Sequence, residues 1–432
     1  MKNYKKVYAA FILAGGLILH GCNGIFDDLA INPNQPSMGA YFTSPSAVND
    51  AVMTMYGYMS TQRCLGASGS KTTIIRSDEA SSNSDYGKPG MFGADLNASY
   101  YTIEQPYTLM YTTASQASYI IETAPSVDFS GNEELRNAYM GEAYFWRAFA
   151  HYYLLINFRN ISPIRQMPRN GDDYVRPLEK PAAVWNFIQE DLAHAKELLP
   201  VKGYWDSKNA GRVTKASAAA LLGKAYLYRS GIEQYYGEDK TTFYSEAAKE
   251  FGDVIDGKYG TYDLTKNYAD NFDVAHENNE ESILEFQFLG DVDNAGFNPG
   301  LATSGLAFDS RGLMLPGAGV GYEGVVHNWL YNAFVNSVDK DGYTDIRMFS
   351  TMIFNDLDAS IHLRNDAGGN PVRLEGPGGY KWEELYPAKN GKEGFATVSN
   401  PLAHSFKAGI RKGIDCSMPT QTEADGTPKL VG

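Results

Sequence analysis

Cysteine is scarce in this chain, which contains only three among 432 residues: Cys22, Cys64 and Cys416. So few cysteines exclude a disulfide-rich scaffold, and their wide separation excludes the paired spacing of a zinc site. Cys64 and Cys416 are free to pair in an oxidising compartment, but the sequence supplies no geometry that favours this pairing. No metal ligand is therefore expected among the cysteines.

Basic residues are outnumbered as well. The chain carries 37 Lys and Arg against 51 Asp and Glu, which gives a net charge of −14. Loss of an N-terminal leader that contains Lys2, Lys5 and Lys6 makes the charge more negative still. A surface of this sign repels a phosphate backbone, so the composition excludes nucleic acid as a partner.

Catalytic motifs are absent too. The sequence has no G-x-S-x-G, H-E-x-x-H or glycine-rich phosphate-binding motif. Glu280, Glu281 and Glu285 are neighbouring acids, but glycoside hydrolysis needs two carboxylates flanking one bond and nothing marks a partner. The loop at 339–345 resembles a calcium loop without its sixth-position glycine and distal glutamate. We predict a protein that is not an enzyme and needs no cofactor, with a structural calcium ion as an open alternative.

The first 22 residues have the pattern of a secretory leader. A basic segment with three lysines precedes the apolar run at 7–19, which is too short to span a bilayer. The run ends in Leu-His-Gly-Cys, which resembles a bacterial lipobox. This resemblance implies that Cys22 is acylated, becomes the mature N-terminus and anchors the protein to a membrane. An ordinary signal peptide with an incidental cysteine is the alternative.

The strongest helical pattern lies at 132–158, where apolar or small residues recur every three or four positions. Similar patterns predict helices at 47–62, with Ser46 as its cap, and at 105–124, 181–199, 214–230, 243–256 and 327–335. The motif Gly-x-Ala-Tyr-x-aromatic-Arg begins at Gly141 and again at Gly223, a separation of roughly two helix pairs of about 34 residues plus an insertion. We predict a mainly α fold: a tetratricopeptide-like helical scaffold with loop-rich, small-β insertions. Two unrelated buried helices are the alternative.

The helical periodicity of the apolar residues ends near residue 258. Residues 281–288 alternate in polarity and predict a strand, and the dense glycines of 290–324 exclude a stable helix. We therefore predict an N-terminal helical region at 23–258 and a loop-rich ligand-binding region at 259–432.

Aromatic residues make up 13% of the chain, including 30 Tyr. Tyrosine is seldom fully buried, and its flat apolar face suits sugars and peptides. The segments at 63–104 and 290–324 interleave aromatic residues with Ser, Gly and Asn, although 63–104 is alternatively a loop that only wraps the scaffold. Our candidate ligand-binding residues are Arg76, Tyr86, Phe92, Asn97, Tyr100, Phe297 and Tyr322. Trp146, Trp185 and Trp329 are predicted to pack helices, while Trp205 and Trp382 stay open.

Several segments, in this order, resemble the SusD/RagB family of outer-membrane nutrient-binding lipoproteins. They are the lipobox, Asn-Pro-Asn at 32–34, Ser-Asp-Glu at 77–79, Glu-Ala-Tyr-Phe-Trp-Arg-Ala-Phe at 142–149, Trp-Asn-Phe-Ile-Gln-Glu-Asp-Leu at 185–192, Gly-Arg-Val-Thr-Lys-Ala at 211–216 and Asn-Glu-Glu-Ser-Ile at 279–283. The resemblance implies a tetratricopeptide-like scaffold whose insertions bind glycans or, in some members, peptides. It also implies a lipid anchor on the outside of the outer membrane and pairing, as a lid, with a SusC-type TonB-dependent transporter.

The chain departs from this family at two places. The family's Gly-x-x-Pro after the central helix is replaced by Phe-Arg-Asn-Ile-Ser-Pro at 158–163. Further helices expected near the C-terminus do not appear before Gly432, so we expect a truncated scaffold. Glycan binding for uptake is the leading hypothesis. A peptide-binding member and a catalytic lipoprotein acting on polysaccharide are the alternatives.

Overall fold

The N-terminal part of the molecule is a row of helices. The computed structural model describes residues 42–61, 63–65, 80–81, 98–167, 175–237, 240–272, 276–287, 325–326, 328–345, 347–348, 352–353, 361–365, 367–369, 409–410, 420–422 and 428–430. The helices within these ranges are α1 Pro45–Ser60, α2 Tyr101–Thr123, α3 Glu133–Phe158, α4 Pro181–Leu198, α5 Lys215–Tyr236, α6 Tyr244–Ile255 and α7 Asn328–Asn336. The predictions of a mainly α fold and of the central helix are confirmed.

Successive helices from α2 to α6 pack against one another in antiparallel fashion. Tyr107, near the start of α2, contacts Phe158 at the end of α3, whereas Ser118 further along α2 meets Arg147 in the middle of α3. The start of α2 therefore lies beside the end of α3. The hydrogen bond of Arg159 to Glu233 places the end of α5 on the same side of the scaffold. This alternation is typical of tetratricopeptide-like scaffolds, in which each helix buries one face against the next.

The helix boundaries follow from local capping chemistry. The side chain of Asn132 accepts a hydrogen bond from the Leu135 amide at the start of α3. Thr214 and Ser217 form a reciprocal capping box at the start of α5, and Gly237 ends that helix in the left-handed conformation with φ 69°. Each of these signals can be read from the sequence.

Three predicted boundaries were wrong. Ser44, and not Ser46, caps α1. Helix α2 starts at Tyr101, so Pro106 lies inside the helix and not at its start. Helix α5 continues through Gly231 because the next turn carries buried Glu233, whose contacts outweigh the roughly 1 kcal/mol cost of a helical glycine.

Large aromatic side chains fill the centre of the scaffold. Trp146 and Trp185 are fully buried, as predicted, whereas Trp329 is 47% exposed and its assignment to helix packing stays a prediction. Trp205 is half-buried and lies over the Arg212 guanidinium at 4.2 Å. Cys64 is a buried free thiol, and burial raises its pKa to about 12. Cys416 lies outside the described residues.

The stretch at 281–287 is not a strand, which corrects the prediction for 281–288. The Ser217 hydroxyl donates a hydrogen bond to the Ile283 carbonyl, and the Asp263 amide donates to the Glu280 carbonyl. Phe286 packs against the scaffold core. The alternation of the sequence reflects one face packed on helices rather than a sheet ladder, a distinction that periodicity alone does not make.

The described residues include two small sheets, of which the first joins distant parts of the chain. Strands β1 Ala80–Ser81, β2 Val325–Val326, β3 Met352–Ile353 and β4 Gly409–Ile410 form an antiparallel sheet in the order β1-β2-β4-β3. Strands β5 Thr420–Thr422 and β6 Pro428–Leu430 form a hairpin-like pair. The pairing of β1 with β2 crosses the predicted division at residue 258, and that division stays a prediction. No helix among the described residues is long and apolar enough to cross a membrane.

A connection between α3 and α4 is fixed by buried polar groups. The Arg147 guanidinium donates to both carboxylate oxygens of Asp191 at 2.7 Å and to the Arg165 carbonyl at 2.9 Å. The Ile164 amide donates to His151 Nε2, so His151 Nδ1 carries the proton and donates to the Arg147 carbonyl. Burial lowers the pKa of His151 to about 3, and the ring is therefore neutral at physiological pH.

The repeated glycines have the same packing role. A Cβ on Gly141 would lie 2.8 Å from a side-chain atom of Leu199, which follows α4, and a Cβ on Gly223 would lie 2.8 Å from the Phe251 ring of α6. Both glycines therefore let the following helix approach closely. By contrast, a Cβ on Gly231 would meet nothing within 4 Å.

Replacement of Gly141 by alanine is expected to destabilise the scaffold by about 1–3 kcal/mol, because the new methyl group overlaps Leu199. Gly231→Ala is the matched control and is expected to stabilise the protein by about 0.5–1 kcal/mol, since alanine favours the helix without a clash. Urea unfolding followed by circular dichroism measures both. Equal effects of the two substitutions would contradict the close-packing role.

Candidate ligand-binding surface

Most of the candidate ligand-binding residues lie outside the described part of the chain: Arg76, Tyr86, Phe92, Asn97, Phe297 and Tyr322. Cys22, the predicted lipidation site, lies outside it as well. Tyr100 is described and is half-buried at the N-terminal cap of α2, where its carbonyl accepts hydrogen bonds from the amides of Ile103 and Glu104. The proposed ligand platform therefore stays a prediction.

The backbone does bring the two loop-rich regions together at one point. Ala80 pairs with Val326 and Ser81 with Val325, so the 63–104 segment contributes one strand to a sheet whose other strands come from the C-terminal region. Sequence periodicity gave no sign of this two-residue pairing, because strands this short carry no alternation.

A cluster of aromatic rings joins the same two regions to the scaffold. Tyr56 of α1 contacts Trp146 of α3 edge-on, with ring centroids 4.9 Å apart. Phe286, shortly before the glycine-dense segment, lies 5.8 Å from Trp146 and 6.4 Å from Tyr56. Helix α1 leads directly into the 63–104 segment, so the described chain next to each loop-rich segment packs against the same part of the core.

Beside these rings lies a buried ion pair. Arg212 donates from Nε to Glu142 Oε1 at 2.9 Å and from Nη2 to Glu142 Oε2. The Tyr56 hydroxyl donates to Glu142 Oε1 at 2.7 Å and accepts from the Val213 amide at 2.9 Å. A further bond from Arg212 reaches Asn49 of α1. The network thus binds α1, α3 and the start of α5 into one unit.

Burial governs the electrostatics of this network. Desolvation raises the pKa of Glu142, and the hydrogen bonds from Arg212 and Tyr56 oppose that effect. Burial also raises the pKa of the Tyr56 hydroxyl well above its usual value, and the nearby Glu142 charge adds to it. Tyr56 is therefore held protonated as a donor. Carboxylate, guanidinium and phenol satisfy one another, and the network has a structural role.

The acidic residues considered for catalysis hold loops in place. Glu281 Oε2 accepts hydrogen bonds from the amide and hydroxyl of Thr265 and from Asn271, and the bond from Asn271 is the main cause of its lowered pKa. Glu285 Oε2 accepts from the Asn278 amide and the Ser282 hydroxyl. A general acid needs a raised pKa, which Glu281 lacks.

Within the part of the chain that the structure describes, the 339–345 loop pairs its carboxylates with arginine. Arg364 donates to Asp339 at 2.8 Å and to Asp341 at 2.5 Å. Asp345 instead pairs with Arg347, two residues further along the chain. No group of three or more His, Cys, Asp or Glu suited to a metal ion occurs among the described residues. Guanidinium groups supply the positive charge that a calcium ion would bring to this loop.

The fold and the buried network define a class: a tetratricopeptide-like scaffold that carries loop-rich insertions. Residues 30–227 match the family model SusD-like, described as starch-binding and associating with the outer membrane. A SusD-like protein of Bacteroides ovatus is 26% identical over 293 residues, which cover 67% of this chain and 51% of the relative. The similarity to the SusD-like family over residues 30–227 agrees with the resemblance that the sequence motifs predicted.

Solved structures agree on the fold. A SusD superfamily protein of Bacteroides vulgatus matches with a TM-score of 0.60 and 21% identity over 86% of this chain and 68% of that one. A laminarin-binding SusD-like protein matches with a TM-score of 0.58 and 20% identity over 84% of this chain and 79% of that one. The chain spans about half the length of the curated relatives it matches.

The sequence analysis did not predict the buried network, because its candidate residues were chosen from the loop segments and not from the helices. The signal was nevertheless present: Glu142 and Arg147 are the charged residues inside an otherwise apolar helical stripe. Charges at such positions are seldom buried without a partner, so each of the two predicts an ion pair with a residue of a neighbouring element.

Removal of one partner of the Glu142–Arg212 pair is expected to be costly. Glu142→Ala leaves a buried guanidinium uncompensated and should lower the free energy of unfolding by about 3–5 kcal/mol. Glu179→Ala is the matched control, because its pair with Arg165 is solvent-exposed and such pairs contribute about 1 kcal/mol or less. Chemical denaturation compares the two, and similar losses would refute a dominant role for the buried pair.

Proposed function

We propose that this protein is a surface lipoprotein that binds a neutral glycan and delivers it to a SusC-type transporter for uptake. The observation that carries the proposal is the match of residues 30–227 to a starch-binding family that associates with the outer membrane. The structural likeness to a laminarin-binding protein supports the same ligand class. The acidic net charge also favours a neutral ligand over an anionic one.

The pairing of β1 with β2 supports a shared binding surface. Because the strands are antiparallel, the chain after Ser81 and the chain before Val325 leave the sheet at the same end. Tyr86 follows Ser81 by five residues and Tyr322 precedes Val325 by three, spans of at most about 17 and 10 Å of extended chain. These lengths are compatible with one platform formed by rings from both segments.

Stacking on such rings gives a sufficient driving force. A ring that covers about 100 Å² of a sugar's apolar face contributes about 2.5 kcal/mol at ~25 cal/mol per Å². Two or three rings, with hydrogen bonds to hydroxyl groups, offset the costs of association and lead to roughly micromolar affinity. The protein acts in this scheme as a binding module and not as an enzyme.

Binding is tested by isothermal titration of the purified protein with laminarin, xyloglucan, starch and a peptide mixture. We expect about micromolar affinity for at least one polysaccharide and at least about tenfold weaker binding by the double variant Tyr86→Ala/Tyr322→Ala, since each ring contributes stacking area. Val338→Ala, at a 54% exposed position on another loop, is the control. Binding of peptides alone, or release of reducing sugar from polysaccharide, would overturn the proposal.

The membrane anchor and the transporter are tested together in cells. We expect the native protein to fractionate with the outer membrane, to be accessible to protease added outside intact cells and to co-purify with a transporter barrel. Cys22→Ala removes the acylated residue and should move the protein to the soluble fraction, because acyl chains supply the membrane affinity. A Cys22→Ala variant that stays membrane-bound contradicts the anchor.

A further inference from the structure

A row of aromatic side chains lies at the end of the scaffold where α2 begins and where α3 and α5 end. We name it the helix-end aromatic surface and define it by Tyr107, Phe158, Arg159, Tyr235 and Tyr236. None of these residues belongs to the loop segments at 63–104 or 290–324. The surface is also separate from the Glu142 network, which joins other parts of the helices.

The rings of this surface contact one another in pairs and stay at least partly exposed. Tyr107 contacts Phe158 edge-on at 4.9 Å and is 39% exposed. Tyr235 and Tyr236 contact each other edge-on at 5.1 Å and are 83% and 57% exposed. Exposed large aromatic residues are common singly, but a contiguous set marks an interaction site.

Arg159 links the two pairs of rings. It follows Phe158 directly, and its guanidinium lies 4.1 Å from the centroid of the Tyr236 ring. The same guanidinium makes two hydrogen bonds, of 2.7 and 2.8 Å, to Glu233, which is 1% exposed and also accepts from Trp185 Nε1. The arginine therefore covers one face of Tyr236 from a fixed position, and the rest of the ring stays open to solvent.

The backbone at Arg159 is held in an unusual conformation. Its φ of 64° and ψ of −68° are rarely adopted by residues other than glycine. Such a conformation is strained and persists only where the surrounding structure holds it. Arg159 keeps this conformation while its guanidinium binds Glu233 and lies against the Tyr236 ring.

The chemistry of the surface favours a sugar over a charged or extended ligand. Flat ring faces with hydroxyl edges match the alternating apolar and polar faces of a pyranose. The Arg159 charge is balanced by Glu233, so it offers little to an anion. The backbone groups of α3 and α5 are bonded within the helices, and this surface therefore offers no strand edge to an extended peptide.

We propose that the helix-end aromatic surface is a second binding site for neutral glycan chains, distinct from the predicted loop platform. The inference rests on the proposed function. Tyr107 lies two turns into α2, about 10 Å along the axis from Tyr100 at the cap. A polysaccharide bound near the end of the 63–104 segment is therefore able to continue onto this surface, whereas a short oligosaccharide fills one site only.

The test compares long and short ligands by titration and by electrophoresis in gels that contain laminarin or xyloglucan. The variant Tyr235→Ala/Tyr236→Ala is expected to bind polysaccharide at least about fivefold more weakly than the native protein. It should retain native affinity for an oligosaccharide short enough to fill the loop platform. Ile255→Ala is the control, because this residue is 77% exposed at the opposite end of α6 and lies outside the surface.

Each outcome separates the inference from the proposed function. Native polysaccharide affinity in Tyr235→Ala/Tyr236→Ala overturns the second site but leaves the proposed function standing. The second site is also overturned if Tyr86→Ala/Tyr322→Ala loses polysaccharide binding while Tyr235→Ala/Tyr236→Ala binds normally. Failure of the native protein to bind any glycan overturns both, and binding of peptides through these tyrosines overturns the ligand class. Circular dichroism of each variant confirms that the helices are intact.

Discussion

The structure depends most on the buried ion pair between Glu142 and Arg212. Two charges removed from water are tolerated only when their remaining donors and acceptors are satisfied, and here Tyr56, Asn49 and the rings around them do this. The pair lies where α1, α3 and the start of α5 meet, so it fixes the helix that leads into the 63–104 segment. Phe286, which precedes the glycine-dense segment at 290–324, packs against the same rings.

Ion pairs also join other helices of the scaffold. Arg147 pairs with Asp191 between α3 and α4, Lys196 with Glu250 between α4 and α6, and Arg159 with Glu233 at the ends of α3 and α5. Stripes of small and aromatic residues supply most of the buried area but specify the alignment of two helices weakly. A buried ion pair specifies that alignment strongly, because a shift of one helix by one turn would leave each charge without its partner. We infer that these pairs set the register of the scaffold.

The sequence predicted the scaffold well because helices carry their signals locally. Periodic apolar positions sufficed to predict helices α3 to α6, although the end of α5 was placed too early. The stretch at 281–287 was misread because a chain packed with one face on helices alternates as a strand does. Residue type indicates burial only on average, so Trp146 and Trp329 differ widely in exposure. The pairing of Ala80 with Val326 was out of reach, since nothing local specifies a two-residue contact between segments so distant in the chain.

A neutral glycan makes particular demands on such a scaffold. It offers no charge to attract, and each hydroxyl it buries must exchange water for a protein partner at little net gain. Affinity then depends on how much ring area is presented already in place, because every side chain ordered on binding subtracts from it. Rings on loops meet this demand only if the loop ends are fixed, and here the ion pairs between helices hold the chain next to them. Rings at helix ends, such as Tyr236 over Arg159, meet it directly. Under the proposed function, the buried charges of the scaffold keep its surface rigid, and that rigidity is what lets weak stacking contacts on the exposed aromatic residues add up to glycan binding.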